Sequence, residues 1–354
     1  MSGRLKRAEG AFRQLGAEAA LISDGANRRW LTGFSGSSGA VLLLDGTAEL
    51  VTDGRYTIQA AAECREGVQV VTHRGPLATW LAERLAGVHG PLAVEADHLT
   101  VAEMARLKKT LPGLAWLETE GVVAKLRMVK DAEELQAIRR AFQVADQAFS
   151  ALLPAVAPGI SEIELALDLE ARMRGAGAGL GFDTIVVSGP HSALPHGQPS
   201  GRRLEPGDLV TVDWGATWQG YTSDATRTLA VGRLDPRGRQ IYQVVKAAME
   251  AAIRVAKDGV SARTVHEAAL AVIAEAGWAD RFVHGTGHGV GLEVHEAPSL
   301  GARSEDILAA GMVVTFEPGI YIEGYGGVRI EQTGIITEGG AELLSHLATD
   351  LQIV

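Results

Sequence analysis

The feature that most constrains this chain is an internal echo. Residues 207–213, G-D-L-V-T-V-D, match residues 311–317, G-M-V-V-T-F-E, and each copy closes an apolar, β-branched run with an acid, Asp213 or Glu317. Further on, D-A-T at Asp224 matches E-Q-T at Glu331. Each half therefore offers one carboxylate at the end of a strand-like segment and a second beyond a Gly/Tyr-rich reversal, where a hairpin would bring the two together. The preceding segments repeat as well. P-G-I-S ending at Ser161 and D-G-V-S ending at Ser261 each place a serine at an N-cap before an apolar-periodic run, and Glu164 completes a capping box in the first copy. Two such units of helix plus strand pair, facing each other, would enclose a site where four acids converge.

Four carboxylates cannot all stay ionised at close range, because like charges raise one another's pKa. Two divalent cations resolve the conflict, since their four positive charges match the four acids and acidify a water held between them. Ligands made of Asp, Glu and a single His, without thiolate, suit Mn²⁺, Co²⁺ or Fe²⁺ better than a structural zinc site, with Zn²⁺ a further possibility. The alternative reading is a set of strand-end acids facing water.

Composition narrows the partners. A formal charge of −10 lacks the basic field needed to bind nucleic acid or an anionic membrane. No apolar run is long enough to span a bilayer. Cys64 is the only cysteine, so there is no internal disulfide framework. The start, M-S-G-R-L-K-R followed by A-E-G-A-F-R-Q, is too charged for a signal-peptide core, and the expected location is cytoplasmic.

The 354 residues read as two domains, 1–122 and 123–354. The first alternates short buried strands (Ala19–Ser23, Ala40–Leu44, Glu49–Thr52, Val68–Thr72, Leu92–Glu95) with helices (Tyr56–Glu63, Leu77–Leu85, Thr100–Leu111), an α/β domain with Asp45-Gly46 as a hairpin turn. It contains no phosphate loop and no cluster of acids or histidines, so a supporting role is expected. The second opens with a helical pattern over Val122–Leu153, broken near Lys130 and capped anew by Asp131 with Glu134.

A second informative stretch runs H-G-T-G-H-G-V-G-L-E-V-H-E from His284 through His288 to His295. It has no Lys-Ser/Thr and no strand-turn-helix frame, so it does not read as a nucleotide loop. Glycines flanking a histidine let the backbone approach closely and leave the imidazole uncovered.

Taken together, D-W-G-A at Asp213, S-D-A-T-R at Asp224, G-T-G-H-G-V-G at His288, F-E-P-G-I-Y at Glu317 and V-R-I-E-Q-T at Glu331 resemble the five-ligand signature of the pita-bread metallopeptidases. That group includes methionine aminopeptidase, aminopeptidase P and Xaa-Pro dipeptidase. N-R-R-W-L-T-G-F-S-G, residues 27–36, is similar to the creatinase-like N-terminal domain of the proline-directed members. The resemblance implies a creatinase-like α/β domain plus an α+β pita-bread domain with pseudo-twofold duplication, and a homodimer. It implies that Asp213 chelates one metal, Asp224 and Glu331 bridge both, and His288 with Glu317 holds the second. Glu317 would also be the general acid/base, His295 and His196 would steady the tetrahedral intermediate, and Tyr221 and Arg329 would line the pocket. The expected reaction is hydrolysis of Xaa-Pro dipeptides; release of the N-terminal residue from longer Xaa-Pro peptides, or a non-catalytic peptide-binding module, are the alternatives.

Two departures stand out. Gln332 occupies the place where the family pattern has Asp after the bridging Glu, and Ser299 stands where some Xaa-Pro dipeptidases have an arginine that pairs with the substrate carboxylate. Arg303, Arg28, Arg29 and Arg55 are the candidate replacements for that clamp.

Overall fold

The computed structural model describes residues 3–354 and divides into two compact units, one ending at Arg127 and one running from Met128 to Val354. In the first, the order is α1 (Gly3–Gln14), β1 (Ala19–Ile22), α2 (Gly25–Thr32), β2 (Ala40–Leu44), β3 (Thr47–Thr52), α3 (Thr57–Glu63), β4 (Val68–Thr72), α4 (Leu77–Arg84), β5 (Leu92–Glu95), α5 (Val101–Thr110), β6 (Trp116–Thr119) and α6 (Val122–Arg127). The strands form one mixed sheet, β4-β3-β2-β1-β5-β6. Asp45 and Gly46 both have positive φ, 48° and 73°, so the β2–β3 reversal is the hairpin expected from that dipeptide. The capping box of Thr100 with Glu103 starts α5. The sequence reading missed α1, α2 and β6. It also placed the boundary at 122, whereas the short helix α6 belongs to the first unit, where it packs on α1 and α2.

The second unit continues with α7 (Ala132–Leu152), α8 (Glu162–Gly175), β7 (Gly179–Leu180), β8 (Ile185–Ser188), β9 (Leu209–Trp214), β10 (Ala216–Trp218), β11 (Tyr221–Thr222), β12 (Ala225–Ala230), α9 (Pro236–Val255) and α10 (Ala262–Glu275). It closes with β13 (Gly287–Gly289), β14 (Glu296–Leu300), β15 (Val313–Phe316), β16 (Gly319–Ile322), β17 (Gly326–Arg329), β18 (Gln332–Thr337) and β19 (Gly340–Leu343). The duplication is real, and each copy contains two helices rather than one: α7 and α8 pack over β8-β9-β12, while α9 and α10 pack over β13-β15-β18. Ser161 caps α8 through the expected box with Glu164, whereas Ser261 occupies the same place before α10 without a side-chain cap bond. Among the described residues, no helix is long and apolar enough to cross a membrane.

Candidate metal centre and active site

In each repeat the two acids sit where one strand of a pair ends and the other begins. Asp213 lies on β9 and Asp224 just precedes its antiparallel partner β12; Glu317 just follows β15 and Glu331 just precedes β18. Short hairpins fold the intervening chain back, through Gln219 and Gly220 with φ of 50° and 87° in the first copy and Gly324 with φ of 72° in the second. The register differs between copies. Asp213 faces Thr226, but the residue facing Thr333 is Thr315, so Glu317 lies two residues beyond the position equivalent to Asp213. A shift of two preserves the side on which a strand residue points, which is why the sequence echo still leads both acids to one site.

The two repeats meet along their second strands. Thr226 donates from Oγ1 to Glu331 Oε2 at 2.8 Å, Glu331 N donates to the Thr226 carbonyl at 3.1 Å, and Thr333 Oγ1 donates to the Asp224 carbonyl at 3.0 Å. Carboxylate oxygens of Asp213, Asp224 and Glu331 consequently lie within 4.8 Å of one another. His288 joins them, with Nε2 3.0 Å from Glu317 Oε1 and 3.6 Å from Asp224 Oδ2. Its place depends on the flanking glycines. A Cβ on Gly287 would lie 2.0 Å from the Thr315 carbonyl oxygen and one on Gly289 2.2 Å from that of Ala297, so only glycine lets β13 pass between its neighbours.

The electrostatics of this cluster call for cations. Burial, and then the mutual repulsion of the neighbouring carboxylates, pushes Asp224 and Glu331 well above the usual carboxylate range. Burial raises Asp213 too, against the pull of Arg329. Glu317 is also buried, but the His288 hydrogen bond and charge outweigh that and hold it at about 2, while the same contact carries His288 against its own burial to about 9. Among buried side-chain atoms, Asp213 Oδ1 and Glu331 Oε1 have no hydrogen-bond partner. Buried carboxylate oxygens without donors are costly unless a cation engages them, so the residues present fit divalent metal.

A cleft of about 440 Å³ opens on these acids, lined among others by Phe182, His196, His288, His295, Ser299 and Arg329. His196 and His295, expected at the site, are there, and the His295 ring stands 4.3 Å from that of His288. Burial, and then the neighbouring His288, lowers the pKa of His295, favouring a neutral imidazole. Arg329 lines the cleft but is engaged: Nη2 donates to Asp213 Oδ2 at 2.5 Å, and Nη1 to the Pro195 carbonyl and the Tyr321 hydroxyl, each at 3.0 Å. The reading missed His284 and Tyr321 as site residues. Tyr321 OH lies 2.9 Å from His284 Nε2 and joins it to Arg329, and the only signal was the position of His284 four residues before His288.

Two expectations need correction. Tyr221 does not line the cleft; its ring packs in a core with Ile138, Phe142 and Val290, and its hydroxyl donates to Glu134 at 3.0 Å. A tyrosine beside a hairpin turn reads alike whether its ring points to a cleft or to a helix. Arg303 is not in the acid cleft either. It borders an adjoining cavity of about 600 Å³ that shares His284, Gly285 and Ser299 with it. Of the other arginines, Arg28 is buried and donates to the Gly36 and Gly39 carbonyls, and Arg55 pairs with Asp53 at 2.9 Å. Gln332 is buried, with Oε1 unpartnered.

Residues 136–338 match the model of metallopeptidase family M24, and residues 4–129 that of the creatinase/prolidase N-terminal domain. The chain is 40% identical, over 99% of its length and 100% of the relative's, to the uncharacterized peptidase YqhT of Bacillus subtilis (strain 168). Its structure is similar to that of a Xaa-Pro dipeptidase from Bacillus anthracis, at a TM-score of 0.96 and 39% identity, covering 99% of each chain. It is also similar to an X-Pro aminopeptidase from Thermotoga maritima MSB8, at a TM-score of 0.89 and 34% identity, covering 98% of this chain and 100% of that one. The duplicated strand pairs, the acids they bring together and these matches along the whole chain place the protein in metallopeptidase family M24.

Proposed function

We propose that the protein is a dinuclear metal-dependent dipeptidase that hydrolyses the Xaa-Pro bond. The observation that carries this reading is the cluster of Asp213, Asp224 and Glu331 within 4.8 Å, with two buried carboxylate oxygens unpartnered, at the base of a cleft bordered by histidines. Asp213, Asp224, His288, Glu317 and Glu331 would hold two divalent ions, Mn²⁺ or Co²⁺ by the oxygen-rich donor set. When bound, the ions supply Lewis acidity to a carbonyl and lower the pKa of a water.

The chain's own groups do the rest. Glu317, whose Oε1 accepts from the Thr315 hydroxyl at 3.1 Å, takes a proton from the attacking water and returns it to the departing proline nitrogen. His295 and His196 donate hydrogen bonds to the oxygen on which negative charge develops. Arg329 fixes Asp213, and Phe182 supplies an apolar wall beside the acids. We further propose a cytoplasmic homodimer.

The adjoining cavity favours a second reading, an aminopeptidase that leaves the residue after proline free to extend, because it continues past Ser299 toward Arg303. Hydrolysis of Ala-Pro beside Ala-Pro-Ala, by chelated protein reloaded with Mn²⁺ or Co²⁺, separates the two. Cleavage of the dipeptide with little turnover of the tripeptide supports the first reading; efficient cleavage of the tripeptide replaces it with the second, and no metal-dependent cleavage of either rejects both.

A further inference from the structure

His196 is carried by the loop that joins β8 to β9. We propose that Glu162, at the start of α8, is a positioning residue that holds this loop, and through it the His196 imidazole, in place for the reaction. The inference rests on the proposed peptidase reading, in which His196 meets the scissile carbonyl.

The Glu162 side chain is completely buried. Its Oε1 accepts from the backbone N–H and the hydroxyl of Ser188, each at 2.7 Å, where the loop leaves β8. Its Oε2 accepts from the backbone N–H of Ser200 at 3.0 Å and from the Ser200 hydroxyl at 2.6 Å, just beyond His196. Between these anchors, His191 Nδ1 lies 2.9 Å from Oε2 and 3.1 Å from Oε1. One carboxylate therefore ties down the chain on both sides of His196, at Ser188 and Ser200, and His191 between them. The first amides of α8 point the same way, with Glu162 N donating to the Arg202 carbonyl at 3.0 Å and Ile163 N to the Ser200 carbonyl at 3.1 Å. The helix N-terminus that favours the carboxylate thus also binds the loop.

The opposite side of the loop is fixed by the metal centre's own supports. Gly327 N donates to Ser192 Oγ at 2.8 Å, and Arg329, which holds Asp213, donates to the Pro195 carbonyl at 3.0 Å. A Cβ on Gly197 would lie 2.8 Å from Val187 Cγ1, so the chain just after His196 is pressed against β8. His196 itself is exposed on the cleft. The direction of its imidazole is set by the path of a loop pinned between Glu162 and Arg329, and displacement of a reacting group by about 1 Å costs up to roughly 10²-fold in rate.

The test is Glu162→Gln in the wild-type and His196→Ala backgrounds, with steady-state kinetics on Ala-Pro and the bound metal measured in each. Glutamine keeps the size but turns an NH₂ donor on groups that are themselves donors. The expected result is a fall in kcat of about 10–100-fold with KM and metal content little changed, and no further fall in the His196→Ala background. Full activity, or an equal loss in both backgrounds, overturns the proposal. Should Glu162→Gln fail to fold, Ser200→Ala removes one donor and runs through the same cycle with the same two outcomes. Wild-type enzyme that cleaves no Xaa-Pro peptide would overturn the peptidase reading itself, and that is seen before any variant is compared.

Discussion

Arg329 donates from Nη2 to Oδ2 of Asp213 at 2.5 Å, while Oδ1 of the same carboxylate is buried without a hydrogen-bond partner. The guanidinium thereby orients the acid and leaves its other oxygen for a cation. Replacing Arg329 with Met keeps bulk but frees the acid to rotate. It should weaken divalent-ion binding by roughly 10–100-fold, the cost of losing a residue that orients a ligand, as measured by calorimetric titration of chelated protein with Mn²⁺. Unchanged affinity would mean that Asp213 is held by the strand alone.

Loss of an imidazole that only donates to the developing oxyanion should separate rate from metal. His295→Ala should keep its ions and lose roughly 10²-fold or more in kcat. Glu317→Ala should abolish turnover and bind less metal, because the same carboxylate is both proton carrier and proposed ligand. Metal analysis alongside kinetics distinguishes the two patterns, and full activity in His295→Ala would remove that residue from the mechanism.

Trp214 follows Asp213 and is fully buried, with its ring stacked on Phe149 at 4.2 Å between centroids and its indole N–H donating to the Ala145 carbonyl at 3.0 Å. It clamps β9 to α7. Trp214→Ala should lower the unfolding free energy by about 3–5 kcal/mol through the cavity it leaves, measured by denaturant unfolding of chelated protein.

Asp235 caps α9, accepting from Gly238 N at 2.7 Å and from the Tyr325 hydroxyl at 2.8 Å, and these bonds hold its pKa below the ordinary carboxylate value. Asp235→Ala should cost about 1 kcal/mol at neutral pH. Because the folded pKa is the lower one, this contribution is complete above the unfolded value and is lost as pH falls through the folded value. Unfolding curves of chelated wild type and variant should therefore converge at the acid end; a gap that persists there would show that Asp235 acts by packing rather than charge.

The sequence alone determined that the chain contains two matched strand pairs, each carrying two acids, and a glycine-framed histidine to complete them. Those inferences rest on local rules: period-2 apolar runs, turn residues and capping boxes such as those at Thr100, Asp131 and Ser161 are written in consecutive residues. The tertiary structure decided what distant residues share. It set the two-residue register offset that places Thr315 opposite Thr333, and it turned Arg329 inward onto Asp213. It also buried Tyr221 against Glu134, moved Arg303 into a neighbouring cavity and closed the His196 loop around Glu162. Each depends on which way a side chain faces once strands from different repeats are packed, and no local pattern carries that information.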